Sequence, residues 1–508
     1  MGDAEESSDS IDQSILWDNL VEWVQKSGGY VHPALHLQGQ GPSRGVFSSA
    51  IIPKGDLLIR IPPSCVVGGS SVKGSMPTNS SSWFKCLVAY YQAAASTKEY
   101  WQPYFESLPI GAYETLFQWT DEEVKNYLAG TTLGLMIEGD RRMKSMQSRY
   151  RLAVRPHLQE LGLVPSPSTE GEISDEEFDA FLQACMCIST RGFHLTKKGD
   201  SDKEVTTNND DDVTCGPFLL PVIDLLNHDP KQACTTLKRD NVTGSFCMAA
   251  ERSIAKDETV VHSYGDSLTA AQLLQTFGFV PVVQDQNHGN RSLTPATFQK
   301  VKHLLAACKE TKESTYPQEL KEWMESQKMD EDEVWNIQSI PQRALDDDIS
   351  ADLLVCNENA VLSEELITLV SVQFLPDEAY NEVFPEDRLE AWLDRSILED
   401  YYLGKLVCHS LLIAIRKKLD EYAPINIGGV CGSEKADSVL ERDREYLKQL
   451  LQQPPLSSVS TFRAMYGLTI RIEELTCLKA LQDEILGLQG FLDGQQPPNK
   501  RAKLVSVD

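Results

Sequence analysis

The chain is short of basic side chains: among its 508 residues, 47 Lys and Arg stand against 75 Asp and Glu, a formal charge of −28. A field of that sign repels a phosphate backbone, so nucleic acid is not expected as a direct ligand, and basic protein segments are the natural partners. An acidic surface also serves plain solubility, and the two readings stand side by side. No apolar run reaches the roughly 18 residues that a membrane-spanning helix needs, so no membrane association is expected. Met1 to Ser14 is acidic and serine-rich, without the marks of a signal or transit peptide, which predicts a cytoplasmic or nuclear location. The basic run at Asn499-Lys-Arg-Ala-Lys reads either as a weak nuclear signal or as a solvated tail. Cysteines are few, 12 in all, and the nearest pair, Cys185 and Cys187, has no second pair at zinc-finger spacing. Buried free thiols and no structural metal are expected. Also missing are a G-x-S-x-G nucleophile elbow, a P-loop, and a G-x-G-x-x-G between strand and helix, which removes the commonest hydrolase and nucleotide folds.

What is present is a globular composition, 41% hydrophobic and 24% charged, long enough for two or three packed units. Ile15, Leu16, Leu20, Trp23 and Val24 have helical spacing, and Gly28-Gly29 stops them. Gly45 to Val67 reads as β-rich, with a turn at Pro53-Lys54-Gly55-Asp56. After a Gly/Ser-rich loop the pattern is helical from Ser82 to about Arg191 and rich in aromatics, Tyr104 among them, which read as core. Residues 197–213 lack apolar periodicity and read as a disordered insertion. Strand-like sequence resumes from Pro217 to Leu226, then a pair at Thr235–Leu237 and Ser245–Ala249. Ile52-Pro-Lys-Gly-Asp-Leu-Leu-Ile echoes Ile254-Ala-Lys-Asp-Glu-Thr-Val-Val, a likeness that a common β-turn pattern explains. From Thr294 the sequence looks helical, with Val301, Leu304, Leu305 and Cys308 on one face. A strong last helix runs from Phe462 to near Gly490, before a disordered tail.

Three local features invite a chemical reading. Gly39-Gln-Gly-Pro-Ser-Arg-Gly-Val-Phe is a glycine-rich turn entering a strand, either a ligand loop or an ordinary turn. Pro221-Val-Ile-Asp-Leu-Leu-Asn-His-Asp-Pro closes an apolar run with polar groups that need partners, or else is a terminus capped by Asn. Val260-Val-His-Ser-Tyr-Gly-Asp sets a tyrosine at a strand end, a position that more often serves packing.

Taken in this order, the three resemble the SET-domain family, and more closely its branch containing the Rubisco large-subunit lysine methyltransferase. Arg44 to Ile61, Tyr100-Trp-Gln-Pro-Tyr-Phe-Glu-Ser-Leu-Pro, Thr190-Arg-Gly-Phe, Leu273-Leu-Gln-Thr-Phe-Gly-Phe-Val and Phe462 to Glu473 extend the likeness over most of residues 15 to 490. The resemblance implies an α+β protein. A β-rich SET core (30–80 and 215–285) with a pseudoknot would be split by a helical insert (82–195), the domain spanning 15–290. An all-helical substrate-binding domain over 291–490 and a tail over 491–508 would follow. It implies S-adenosylmethionine as cofactor, bound by Asn227 and His228 and by the backbone about Pro42, Arg44 and Gly45. Arg191, Asp224 and Phe277 would line the channel of the target side chain, Arg191 also touching the cofactor. Tyr264 would be the residue at the transfer site.

Lysine, with a pKa of about 10.4, must lose its proton before it can attack a sulfonium methyl, so the site has to favour the neutral amine. The expected activity is protein-lysine methylation of a non-histone protein through a basic segment. Histidine methylation on the same fold, or a non-catalytic adaptor, are the rivals. Two departures stand out: Ser43 replaces a glycine of the family's turn, and Phe277 stands where many relatives have tyrosine. The second would leave room for a methylated amine.

Overall fold

The computed structural model describes residues 13–39, 44–77, 79–95, 98–108, 115–137, 141–165, 173–196, 214–265 and 268–281. Beyond these it describes 294, 297–299, 306–308, 310–311, 352–354, 366–367, 370–371, 374, 401–422, 426–427, 430–431, 438–452 and 459–495. Pro42, Ser43, the expected insertion at 197–213, the face at 301–305 and the tail after Gln495 lie outside them. The chain forms two compact units: Met1–Gln118 with Arg141–Leu268 and Thr276–Gly278, and Trp119–Asp140 with Thr269–Gln275 and Phe279–Asp508. The division follows contacts, not chain order, so part of the helical insert, Trp119–Asp140, belongs with the second unit.

The first unit holds eleven described strands: β1 (Tyr30–Val31), β2 (Leu35–Gln38), β3 (Gly45–Ser48), β4 (Leu57–Ile61), β5 (Val67–Gly68), β6 (Gly192–Thr196), β7 (Thr214–Leu219), β8 (Asn227–His228), β9 (Thr235–Arg239), β10 (Phe246–Ala250) and β11 (Val261–His262). They pair as four small sheets, ordered β1-β4-β10-β9, β5-β7-β6, β2-β3 and β8-β11. Leu58, Ile59 and Ile61 of β4 are fully buried while Arg60 faces out. Each such aliphatic side chain contributes about 1.5–3 kcal/mol by leaving water. Pro221 to Leu226 is not strand: β7 stops at Leu219, Val222 turns with φ 70°, and Ile223–Leu225 form a 3-10 turn. A β-branched residue at positive φ breaks the extended run whatever its hydrophobicity.

The echoed segments meet in space. Ile52 and Ile254 form a reciprocal bridge, each amide donating to the other's carbonyl at 2.9 Å. Gly55 N–H donates to Ala250 (2.8 Å) as Asp257 N–H donates to Ser48 (2.7 Å). Ala250 N–H donates to Asp56 (2.9 Å) as Ser48 N–H donates to Glu258 (3.0 Å). The two turns are thus related by a local twofold, with Gly55 (φ 91°) and Asp257 (φ 64°) at matching left-handed positions. The next bond along, Val260 N–H to the Val46 carbonyl at 2.8 Å, carries β3 to the residues that lead into β11.

The second unit is mainly helical: Tyr401–Leu419, Val439–Leu451 and Val459–Asp493 pack with Asp121–Tyr127 of the insert, and two short strand pairs accompany them. The last helix runs to Asp493, past the expected stop near Gly490. Its interior is polar as well as apolar. Glu474, wholly buried, accepts from Thr132 N–H (3.0 Å) and Tyr422 Oη (2.6 Å). Arg471 pairs with Asp443 at 2.8 Å and donates to the Ala129 carbonyl at 2.9 Å. Lys418 reaches the Gly130 carbonyl at 2.7 Å. Buried charges need such partners to be tolerated, and here they pin the insert residues 129–132 to the long helices.

Candidate active site

Topology gathers the site. β8 and β11 pair in parallel, Asn227 against Val261 and His228 against His262. β3 lies alongside through the Val46–Val260 bond. Residues 44–45, 227–228 and 261–264, far apart in sequence, thereby become neighbours.

On one side of this junction, Asn227 Nδ2 donates to the Arg44 carbonyl at 2.9 Å. The bond spans 183 residues, so Asn227 is not a local cap. A Cβ at Gly45 would stand 2.9 Å from that same Nδ2, and only glycine leaves the amide its place. Arg44 Nη2 donates to the Ser107 carbonyl at 3.2 Å, and its buried Nε has no hydrogen-bond partner among the described residues. Burial and the neighbouring Arg191 guanidinium lower the Arg44 pKa.

On the other side lies a cleft of about 340 Å³, whose lining includes Arg191, Phe193, Asp224, His262, Tyr264 and Phe277. Arg191 ends the helix Asp175–Arg191, where a cation suits the helix dipole. Its Nη1 donates to the Asp224 carbonyl at 2.6 Å and stands 3.8 Å from Asp224 Oδ2. The Asp224 side chain is wholly buried. Burial raises its pKa, with Arg191, the Tyr104 hydroxyl and Arg44 pulling the other way. Oδ1 has no hydrogen-bond partner among the described residues.

Tyr264 joins the two sides. Its amide donates to His228 Nδ1 (3.0 Å), its hydroxyl donates to the Leu226 carbonyl (2.7 Å), and its ring centroid lies 5.0 Å from that of His228 and 4.8 Å from that of Phe277. Burial pushes its pKa up to about 12, so it is a neutral phenol at physiological pH.

Every site residue named from the sequence and described in the structure therefore falls at this junction; Pro42 lies outside the described residues. Tyr104, whose hydroxyl donates to Asp224 Oδ2 at 2.8 Å, carries no site signal in the sequence. It looked like one more core aromatic, and it is indeed fully buried. Phe193, His194, Thr235, Leu237 and His262 of the cleft have no site role assigned from sequence, Phe193 and His262 lying only within quoted motifs, because they sit on strands that only the fold brings together. A larger cavity of about 450 Å³, lined by Lys144, Arg151, Asp175 and Phe178 among others, contains none of these groups. Among the described residues no cluster of His, Cys, Asp or Glu is arranged for a metal, and no helix is long and apolar enough to cross a membrane.

The chain matches the SET domain family over residues 43–265. No curated protein matches it by sequence. Among solved structures, it is similar to the SET domain of LSMT bound to lysine and AdoHcy, at 15% identity and TM-score 0.62, covering 97% of this chain and 95% of that one. It is likewise similar to Rubisco LSMT bound to AdoMet, and to the same protein bound to sinefungin and monomethyllysine. Each is at 16% identity and TM-score 0.61, covering 96% of this chain and 95% of the other. Residues 43–265 thus match the SET domain family, and the chain has the α+β fold of the Rubisco LSMT structures, helical C-terminal region included.

Proposed function

We propose that this protein transfers a methyl group from S-adenosylmethionine to the side-chain amine of a lysine in a non-histone protein, engaging a basic segment of it. The observation that carries the reading is Tyr264, held by Leu226 and His228 between the Asn227–Arg44 corner and the cleft. The cofactors and lysines bound by the similar structures support it.

The residues at the corner fit the amino-acid end of that cofactor. Asn227 is exposed, and with Nδ2 spent on Arg44 its Oδ1 offers an acceptor for an ammonium group. Arg44 Nε is a buried donor suited to a carboxylate. Gly45 keeps the backbone open to close approach. Bound there, the cofactor supplies an electrophilic methyl on a sulfonium.

The cleft residues prepare the acceptor. Phe193, Leu237 and Phe277 strip water from an entering amine, which favours its neutral form, and the Arg191 guanidinium opposes the ammonium further. Tyr264 is too weak an acid to serve as the phenolate base, so its part is to orient the amine through its oxygen. His194 lines the cleft with its side chain still open to solvent, and partial desolvation lowers its pKa; its imidazole can receive the released proton directly or through water. Positioning and exclusion of water then supply the acceleration, without a covalent enzyme intermediate.

Cys65, Cys86, Cys185, Cys187, Cys234, Cys247, Cys308, Cys408 and Cys477 are free, which supports a reducing compartment, cytoplasm or nucleus. The deciding experiment is transfer of labelled methyl from S-adenosylmethionine into extract proteins. Label with the wild type and its loss in Tyr264→Phe is the expected result, followed by assignment to lysine using peptides with lysine or histidine as sole acceptor. Transfer undiminished by Tyr264→Phe refutes the role given to this residue.

A further inference from the structure

The helix Lys98–Ser107 makes two links to the site from its last turn. Tyr104, with no exposed surface, donates its hydroxyl to Asp224 Oδ2 at 2.8 Å, and the Ser107 carbonyl receives Arg44 Nη2 at 3.2 Å. Ser107 Oγ donates in turn to the Tyr104 carbonyl at 2.6 Å, tying the two links together. Asp224 is therefore the point where three elements converge: the insert helix through Tyr104, the end of the helix Asp175–Arg191 through Arg191, and the 3-10 turn that carries it. One carboxylate oxygen is committed to Tyr104, while Oδ1 stays without a described partner on a residue that lines the cleft. A buried carboxylate with two nearby guanidinium groups has several orientations of similar energy. A single short hydroxyl bond from a rigid ring selects one of them.

We propose that Tyr104 is a positioning residue for methyl transfer, fixing the Asp224 carboxylate and, through it, the Arg191 side chain in the arrangement that the acceptor amine meets. The proposal rests on the transfer site read above. Tyr104 touches neither substrate nor cofactor in this reading and acts only through Asp224. A merely structural tyrosine would instead satisfy a core carboxylate, and its loss would lower stability without touching the chemistry of the cleft.

The two roles separate in one set of measurements on the full chain: initial rates of labelled methyl transfer at saturating S-adenosylmethionine across a pH series, with cofactor affinity by calorimetry alongside. Tyr104→Phe keeps the ring and removes the donor. It is expected to lower the rate roughly ten- to a hundredfold at unchanged cofactor affinity. Because the lost bond stabilised the carboxylate, the acid limb of the profile should also move up, by on the order of one pH unit. On an Asp224→Asn background the same substitution should change the rate little, since its route of action is gone. Difluorotyrosine at position 104, a stronger donor of nearly the same shape, should move the acid limb down, and it remains informative if Tyr104→Phe does not fold. Losses that multiply in the double variant, or an acid limb that neither replacement moves, overturn the proposal while leaving an active wild type. A wild type that labels no protein overturns the reading of the site itself, and the proposal with it.

Discussion

Gly45→Ala tests whether the Asn227–Arg44 corner is a cofactor site. An added Cβ would lie 2.9 Å from Asn227 Nδ2, about half an ångström inside ordinary contact, while the next nearest atoms, at 3.6 Å and 3.8 Å, leave it no cause to move elsewhere. The Asn227 amide must yield, and the 2.9 Å bond to the Arg44 carbonyl then stretches beyond useful length. One such bond contributes about 0.5–1.5 kcal/mol, or roughly two- to thirteenfold in affinity, before any displacement of Oδ1 from the ligand is counted. Calorimetric titration with S-adenosylhomocysteine should therefore show affinity reduced by about that factor or more. The β2–β3 pairing, which uses backbone groups alone, stays intact, so the thermal unfolding midpoint should move little. On an Asn227→Ala background the alanine should cost almost nothing, because the group it displaces is missing. Unchanged affinity in Gly45→Ala, or the same loss with and without Asn227, refutes the reasoning and detaches this corner from the cofactor.

Three further outcomes are expected. Burial pushes Glu474 up to about 7 from 4.5, against the pull of Lys418 and the Tyr422 hydroxyl, so the folded unit keeps a proton that the unfolded chain releases. Its contribution is complete below about pH 4.5 and is lost as pH rises through about 7, worth up to about 3 kcal/mol. Between pH 5 and 8 the wild type should lose that much more stability than Glu474→Gln, and parallel slopes in urea unfolding would exclude it. Asp257 occupies, at φ 64° and exposed to solvent, the place that Gly55 holds in the matching turn. Asp257→Gly should gain about 0.5–1 kcal/mol and Gly55→Ala should lose about 1–2 kcal/mol, both read by chemical denaturation; a loss in both would show the two turns are not equivalent. Phe277 packs 4.8 Å from the Tyr264 ring at the cleft. Phe277→Tyr adds a hydroxyl there and should shift products toward fewer methyl groups by mass spectrometry, and an unchanged distribution refutes that role.

Asn227 and His228 close an apolar run and read equally as a capped terminus, and Tyr264 at a strand end reads more often as packing, until the family resemblance singles them out; the structure gives them partners at a distance. The strand pair β9–β10 and the helices from Ser82 to Arg191 followed from periodicity. Tyr104 was not legible, since a tyrosine on an apolar helix face looks the same whether its hydroxyl ends in a packing contact or on a buried carboxylate 120 residues away. Nor could hydropathy see the break at Val222. Pro221 to Leu226 is apolar enough for a strand, and only the positive φ, a tertiary constraint costing of order 1–3 kcal/mol, ends it there.

That break has a consequence for the chemistry. Had β7 continued, alternation would have sent Asp224 and the polar pair after it to faces set by the sheet. Stopping at Leu219 and inserting a 3-10 turn instead buries Asp224 between Tyr104 and Arg191, then releases Asn227 and His228 as a two-residue strand parallel to β11. A pair that short has little stability of its own, so its register must come from outside it. The Asn227–Arg44 bond fixes one end and the Val46–Val260 bond sets the start of its partner. The same contacts that define the corner and the cleft are therefore the ones that hold this part of the chain in register. Substitutions at the site should accordingly disturb the local fold of β8 and β11 before they disturb the remainder of the first unit.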